Sequence, residues 1–485
     1  MAAQPSPDHL LNHIDGRWVP PLTGAVRANI NPADTDDVVG QFAESGAQDV
    51  TAAVDAAYAA QREWDAIGPI ERAKVLNAAA RLIGERCDAF AEAITREQGK
   101  RLSEGKGEVA RALAILEFTT GEARRINGVT TPAEEPRTMA MTFRRPLGVV
   151  GLITPWNFPV AIPMWKVAPA LVAGCTAVLK PSPLTPWTSA LLVQAFADAG
   201  VPRGVLNLVQ GDREPGEALV ADERVAGISF TGSLPVGQAI NRAGAGRLMR
   251  TQLELGGKNA LIVLADADLD AAVDAIVHGA FGQSGQRCSA TSRVVVDRCV
   301  RDALLERLVP RVAAMRVGRG DQDWADIGPV VSEERLRACL AAVEGAMAEG
   351  ATAVCGGREA KADSPGYFIE PTVLTGVVRD SGIAQEEVFG PVLSVIECEG
   401  YEEAMSISNS VKYGMSGTIF TQNPGYMFQA LQDFQAGMLH VNRPGVGAYS
   451  HLPHMGAKAS QLGAPECSPD VWDFYTDLRS ACIKY

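Results

Sequence analysis

The chain has no CxxC pair and no cysteine–histidine grouping at zinc-ligand spacing, which excludes zinc-finger and zinc-ribbon architectures; no metal is expected. Its nine cysteines (Cys87, Cys175, Cys288, Cys299, Cys339, Cys355, Cys398, Cys467 and Cys482) are an odd set and read as reduced thiols. No basic run offsets the formal net charge of −13, a field that repels phosphate backbones, so nucleic acid is not an expected partner. No window holds eighteen uninterrupted apolar residues, and the opening MAAQPSPDHLLNHIDGRW has no basic segment followed by an apolar stretch. Neither a membrane span nor an export signal is expected, and the reading is cytoplasmic. Internal repeats and low-complexity tracts are also lacking.

What is present is the composition of an ordinary globular enzyme, 47% hydrophobic and 21% charged over 485 residues, enough for two or three domains. From Asp49 to about Ile126, apolar residues recur at three- and four-residue spacing, as in RAKVLNAAARLIGERCDAFAEAI, which predicts amphipathic helices. Residues 128–146 end in alternating TMAMTF and read as an extended hairpin. Short β-rich runs follow (GVVGLIT, TAVLKP, VLNLVQG, VAGISFTG) with helical stretches between them, the alternation of a doubly wound parallel sheet. A second α/β block from about Leu255 to the mid-450s contains NALIVLADAD, SRVVVD, ATAVCGG and VLSVIE. The ending DVWDFYTDLRSACIKY can supply a last strand or an arm for a neighbouring subunit.

Three segments carry chemistry. FGQSGQRCSATSR sets Cys288 after a glycine-rich loop and beside Arg287. A nucleophilic thiol needs nearby positive charge or backbone dipoles to form thiolate, and this setting offers both; taken alone, a cysteine is more often a small buried hydrophobe. In GLITPWNFPVAIPMWK, a strand ends in Pro155-Trp156-Asn157-Phe158-Pro159, presenting Asn157 at a strand's carboxyl end, where ligands of open α/β sheets gather. Asn157 can donate to a developing oxyanion, or merely cap the following turn. QLELGGKN places Glu254 just before Gly256 and Gly257, as a base for water or a solvated strand-end carboxylate.

In this order, and joined by FTGS (Phe230–Ser233), EEVFGPV (Glu386–Val392) and YFIEPTVL (Tyr367–Leu374), these segments resemble the aldehyde dehydrogenase superfamily over almost the whole chain. The resemblance implies an α/β fold with a doubly wound Rossmann-like cofactor domain (1–127 and 147–254), an α/β catalytic domain (255–457) and a small β oligomerisation element (128–146 and 458–485). It implies NAD(P)+-dependent oxidation of an aldehyde to a carboxylic acid through a thiohemiacetal and thioester on Cys288. Asn157 and the Cys288 amide would hold the oxyanion, Glu254 would deprotonate the hydrolytic water, and Lys166 would support both the Asn157 region and the Glu254 proton path. For the cofactor it implies Glu387 and Phe389 at the nicotinamide side and Gly232 and Ser233 at a helix N-terminus facing the pyrophosphate. Lys180 would reach the adenosine ribose, and Thr154, Pro155, Trp156, Gly211, Phe230, Leu255 and Gly256 would form the walls. A homodimer or a dimer of dimers is implied as well.

The sequence departs from that pattern in three places. The family often has an acid three residues after the lysine, but here Lys180-Pro181-Ser182-Pro183 puts proline there. Without that repulsive carboxylate NADP+ is tolerated, and the lean is to NADP+ with Lys180 and Ser182 as phosphate contacts. Pro235 stands near a helix start, where it is harmless. In PHMGAKAS, His454 and Met455 replace an aromatic residue and glycine, which leaves the local backbone open.

SGQRCSATSR, GVGAYSHLPHMGAKAS and FYTDLRSACIKY resemble most the branch acting on α-ketoglutaric semialdehyde (2,5-dioxopentanoate). A distal carboxylate needs a fixed cation, so Arg287, Ser289 and Ser450 are the candidate substrate contacts; Arg287 can equally turn away to pair with an acid of the fold. Succinic semialdehyde and aromatic aldehydes are alternatives. A CoA-acylating enzyme is disfavoured by Glu254. A thiol hydrolase without nicotinamide is disfavoured because none of the six histidines lies near these motifs, and a binding protein because the three reactive residues are intact.

Overall fold

The structure, a computed structural model, describes residues 10–447 and 449–485. The start of the segment read for an export signal, residues 1–9, lies outside the described residues.

Two sheets organise the chain. In the first, five parallel strands lie in the spatial order Leu206–Leu208, Thr176–Lys180, Val149–Ile153, Val225–Thr231, Arg250–Glu254. Their residues are buried on both faces, which is why they read as continuous apolar runs rather than alternations. The chain winds outward in both directions from Val149–Ile153. Connections therefore leave on opposite faces, and a crevice opens beyond the carboxyl ends of Val149–Ile153 and Val225–Thr231.

The helix Ala161–Ala173 is buried along its whole length, because it packs between this sheet and the helices that cover it. Gly174, with φ of 99°, ends it in the left-handed conformation that glycine adopts without a Cβ penalty. Four helices (Ala47–Ala66, Pro69–Glu85, Cys87–Gln98 and Leu102–Glu122) occupy the region read as amphipathic.

In the second sheet the order is Thr352–Cys355, Thr372–Thr375, Val392–Cys398, Thr291–Asp297, Asn259–Val263, Ser416–Phe420, Met438–Val441, all parallel except the first. Apolar clusters cover both of its faces. A small sheet joins Thr130–Thr131, Thr138–Pro146 and Thr476–Lys484, the last two antiparallel over nine residue pairs.

The segment 458–485, expected to serve wholly as part of the oligomerisation element, is divided. Gln461–Leu462 pairs antiparallel with Arg250–Glu254 at the edge of the first sheet. Cys467, Val471, Trp472, Phe474 and Tyr475 are buried in the same core as the helix Ala161–Ala173. Their apolar surface is what draws this stretch inward, and Thr476–Lys484 alone extends as an arm.

Candidate active site

Cys288 lies between the two sheets, in the loop that joins the helix Leu269–Phe281 to the strand Thr291–Asp297. The glycines ahead of it permit a sharp path: Gln283, Ser284 and Gly285 all have positive φ. Asn259 then fixes the loop, its Nδ2 donating to the carbonyls of Cys288 and Ala290, each at 2.8 Å. Gly257 is required opposite, since a Cβ there would come within 2.6 Å of the Cys288 carbonyl oxygen.

Asn157 follows the strand Val149–Ile153 and is buried, its Nδ2 donating to the Gln286 carbonyl at 3.1 Å. It lines one cavity of about 310 Å³ together with Cys288, Glu254, Leu255, Gly256, Glu387, Phe389, Trp156, Gly232 and Ser233. Glu254 ends the strand Arg250–Glu254 and is fully buried. Glu387 accepts from the Gly257 amide at 2.9 Å, and burial pushes its carboxyl up to about 7. Gly256 allows that approach, since a Cβ would meet Glu387 Oε2 at 2.3 Å. Phe389 sits at a φ of 57°, and its ring stands edge-on to Trp156 at 5.4 Å.

A second cavity, about 680 Å³, is lined by Thr154, Pro155, Lys180, Ser182, Pro183, Phe230 and Gly232, and also by Asp212, Arg213 and Glu217. Pro155, Thr231, Gly232 and Pro235 line both cavities, so one groove runs from Lys180 to Cys288. The helix Leu234–Ala245 opens onto it with Ser233 at its cap, and that side chain accepts no capping bond. Lys180 is nearly buried and makes no direct ion pair among the described residues; burial lowers its ammonium to about 8, while Asp212 and Glu44 act in the opposite sense. Gly211 does not line the groove: it packs, with φ of 132°, against Pro215 and Ser45.

On the other side of Cys288, a third cavity of about 260 Å³ is lined by Arg287, Ser289, Arg111, Trp165, Phe158 and His454 among others. Arg287 therefore faces the cavity, and its Nε has no hydrogen-bond partner among the described residues. Ser450 is not brought there. It lies behind Trp165, against Trp472 and Phe118, because the loop before His454 turns towards the C-terminal segment.

Three expectations change. The Cys288 thiol is held well above its ordinary range by burial and by the Glu254 carboxylate, so Arg287 does not make it a resting thiolate and its proton needs an acceptor. The histidine judged absent is present in space: His454 Nε2 stands 3.8 Å from Cys288 Sγ and 3.3 Å from Glu254 Oε1, its ring packed on Trp165 at 4.4 Å. Among the described residues no hydrogen bond or ion pair joins Lys166 to Asn157 or Glu254; it is buried in an ion pair with Glu466 and donates to Ser229 Oγ at 2.8 Å. Glu466 in turn exchanges backbone hydrogen bonds with His454, at 2.8 and 3.0 Å.

Against known proteins, the sequence pattern of the aldehyde dehydrogenase family matches residues 18–481. The chain belongs to the aldehyde dehydrogenase family. It is 40% identical over 477 residues to the alpha-ketoglutaric semialdehyde dehydrogenase of Bacillus subtilis (strain 168), covering 98% of each chain. Among solved structures it matches an NADP dependent enzyme of E. coli, with a TM-score of 0.95 and 32% identity over 99% of this chain and 98% of the other. The betaine aldehyde dehydrogenase of Staphylococcus aureus in complex with NAD+ matches with the same TM-score and identity, over 98% and 95%. The protein is thus an enzyme, an oxidoreductase of the aldehyde dehydrogenase family.

Sequence reasoning missed several residues of this aldehyde dehydrogenase site. His454, Glu466 and Arg111 come from segments far from the reactive motifs; the His454–Met455 departure was the one visible signal. Lys100 and Glu108 were missed too. Lys100 Nζ donates to the Asn157 carbonyl and to Glu108, whose Oε1 accepts the Val160 and Ala161 amides at the start of the helix Ala161–Ala173. Among the described residues no helix is long and apolar enough to cross a membrane.

Proposed function

We propose that this enzyme oxidises a carboxylate-bearing semialdehyde of the α-ketoglutaric semialdehyde type to the dicarboxylic acid, using NAD(P)+. The carrying observation is that Cys288 lines two cavities at once, the groove leading to Lys180 and the chamber holding Arg287 and Arg111. Two guanidinium groups beside the nucleophile suit a substrate with a distal carboxylate. The kinship with the Bacillus subtilis enzyme points the same way.

The groove fits a dinucleotide. Lys180 and Ser182 would hold the adenosine end, the amides of the helix Leu234–Ala245 the pyrophosphate, and Glu387 with Phe389 the nicotinamide end. When bound, the nicotinamide supplies the hydride acceptor. Cys288 Sγ attacks the aldehyde carbon as its proton passes to the adjoining Glu254–His454 pair. The Asn157 amide and the Cys288 N–H stabilise the oxyanion, and Glu254 deprotonates the water that hydrolyses the Cys288 thioester. Lys166 and Glu466 act at one remove, by fixing His454.

Pro183 leaves the adenosine end without a carboxylate at that place, and Lys180 and Ser182 line the same cavity, which favours use of NADP+ as well as NAD+. Nine free thiols fit a reducing cytoplasm. The arm Thr476–Lys484, with Leu478, Ile483 and Tyr485 exposed, suits association into a homo-oligomer, dimer or tetramer. The division into a cofactor unit, a catalytic unit and an oligomerisation element follows the two sheets and the arm, with 458–475 assigned to the cofactor unit.

His454 beside Cys288 restores the thiol-hydrolase reading that the sequence disfavoured. One experiment separates the two: a panel of aldehydes and esters, assayed with NAD+ and with NADP+ and read by reduced nicotinamide. Oxidation of carboxylated semialdehydes supports the dehydrogenase; ester cleavage with no nicotinamide reduction for any aldehyde overturns it.

A further inference from the structure

A thiol, an imidazole and a carboxylate converge at this site, a donor set that divalent zinc prefers once the thiol has lost its proton. Cys288 Sγ, His454 Nε2 and a Glu254 carboxylate oxygen lie within 4.8 Å of one another. In tetrahedral zinc, with Zn–S of about 2.3 Å and Zn–N and Zn–O of about 2.0–2.1 Å, the N–O edge is about 3.3 Å and the S–N and S–O edges about 3.5 Å. The observed 3.3 Å from His454 to Glu254 already equals the first, and the 3.8 Å from Cys288 to His454 is within a few tenths of the second; the Cys288–Glu254 edge, no longer than 4.8 Å, has to shorten on binding.

A second observation points to a ligand. Glu254 is fully buried, and its Oε2 has no hydrogen-bond partner among the described residues. Such an orphan, buried carboxylate oxygen is stabilised by a cation. The ligands come from three segments, around 254, 288 and 454, so no sequence spacing announces them. Three protein ligands leave the fourth tetrahedral position to water, the arrangement of an open site.

We infer that Cys288, His454 and Glu254 form an inhibitory site for a zinc-type divalent cation, which masks the nucleophile and the water-activating base together. On binding, the Cys288 S–H loses its proton to solvent and an S–Zn bond forms as the ion sheds water; nothing is oxidised or reduced. The aldehyde carbon can no longer be attacked, and removing the ion restores the thiol. The inference uses the site of the proposed function, but the binding itself does not depend on turnover.

The test has two arms on the full-length enzyme. Cobalt(II) is added under anaerobic conditions and the sulfur-to-cobalt charge-transfer absorption is read. One ion per chain is expected, with the band lost in Cys288→Ala and binding weakened roughly 10-fold or more in His454→Phe, or in His454→Asn should the first variant not fold. Zinc inhibition of aldehyde oxidation by the unaltered enzyme is then titrated and reversed with a chelator, and half-inhibition should fall at the zinc concentration that displaces half of the cobalt band. A cobalt–thiolate band that survives Cys288→Ala, or affinity unchanged by substitution at 454, overturns the site. An enzyme that shows the cobalt band but oxidises no aldehyde would overturn the proposed function and leave the metal site standing.

Discussion

The ammonium of Lys100 donates to the backbone carbonyl of Asn157 at 2.5 Å while paired with Glu108 at 2.6 Å, all three buried. The peptide carrying the proposed oxyanion donor is thereby tied to a helix that belongs to a different part of the chain, Leu102–Glu122. Removing one member of such a pair leaves an uncompensated charge. Lys100→Met is expected to cost about 3–5 kcal/mol of stability, read by denaturant unfolding, and Lys100→Met with Glu108→Gln to cost less than the single change. Equal losses in the single and double variants would show that the pair is not what matters.

Asn157 should matter to the rate more than to binding. Asn157→Ala is expected to lower kcat by about 10²–10³-fold with a much smaller change in KM, measured at saturating cofactor. A change confined to KM would place the side chain outside the oxyanion site.

Arg287 and Arg111 should read the substrate's far end. Replacing either by Met is expected to raise KM for the semialdehyde roughly 10- to 100-fold, the loss of a hydrogen bond to a charged group worth about 1.5–3 kcal/mol. A neutral aldehyde of the same length should be little affected. Equal effects on both aldehydes would mean that the arginines serve the fold.

Lys180 gives a pH signature. Burial lowers its ammonium to about 8, so the group is charged below that pH and neutral above it. Binding of an anionic adenosine phosphate is favoured by the charged form; affinity for NADP+ should hold below about 8 and fall as pH rises through it, by up to about tenfold per unit. KM for NADP+ measured across this range tests it, and Lys180→Met should remove that dependence. A flat profile in the unaltered enzyme would exclude Lys180 from phosphate binding.

What could be read from the sequence was whatever the chain carries in one stretch. Cys288, Glu254, Asn157, Glu387 and Phe389 each sit in a short motif whose turn chemistry shapes the local backbone, and the structure lines one cavity with all five. The parallel strands were legible because burial on both faces leaves uninterrupted apolar runs. Contacts made by chain crossing were not. His454 reaches Cys288 across 166 positions, and Glu466 reaches Lys166 across 300. Ser450 rests on the resemblance of GVGAYSHLPHMGAKAS alone, and it lines a different cavity, with Phe118 and Trp472. The stretch from Cys467 to Tyr475 reads in the sequence as part of the oligomerisation element 458–485, although Trp472, Phe474 and Tyr475 are buried in a core.

In the proposed reaction one sulfur, Cys288, carries the acyl group while reduced nicotinamide forms, and Glu254 releases it. Rapid-mixing measurement of nicotinamide reduction in Glu254→Gln tests this most directly, with Cys288→Ala as its companion. The expected result is a first burst of about one reduced nicotinamide per active site in Glu254→Gln followed by slowed turnover, and neither burst nor turnover in Cys288→Ala. Steady dehydrogenase turnover in Cys288→Ala would show that Cys288 does not carry the acyl group.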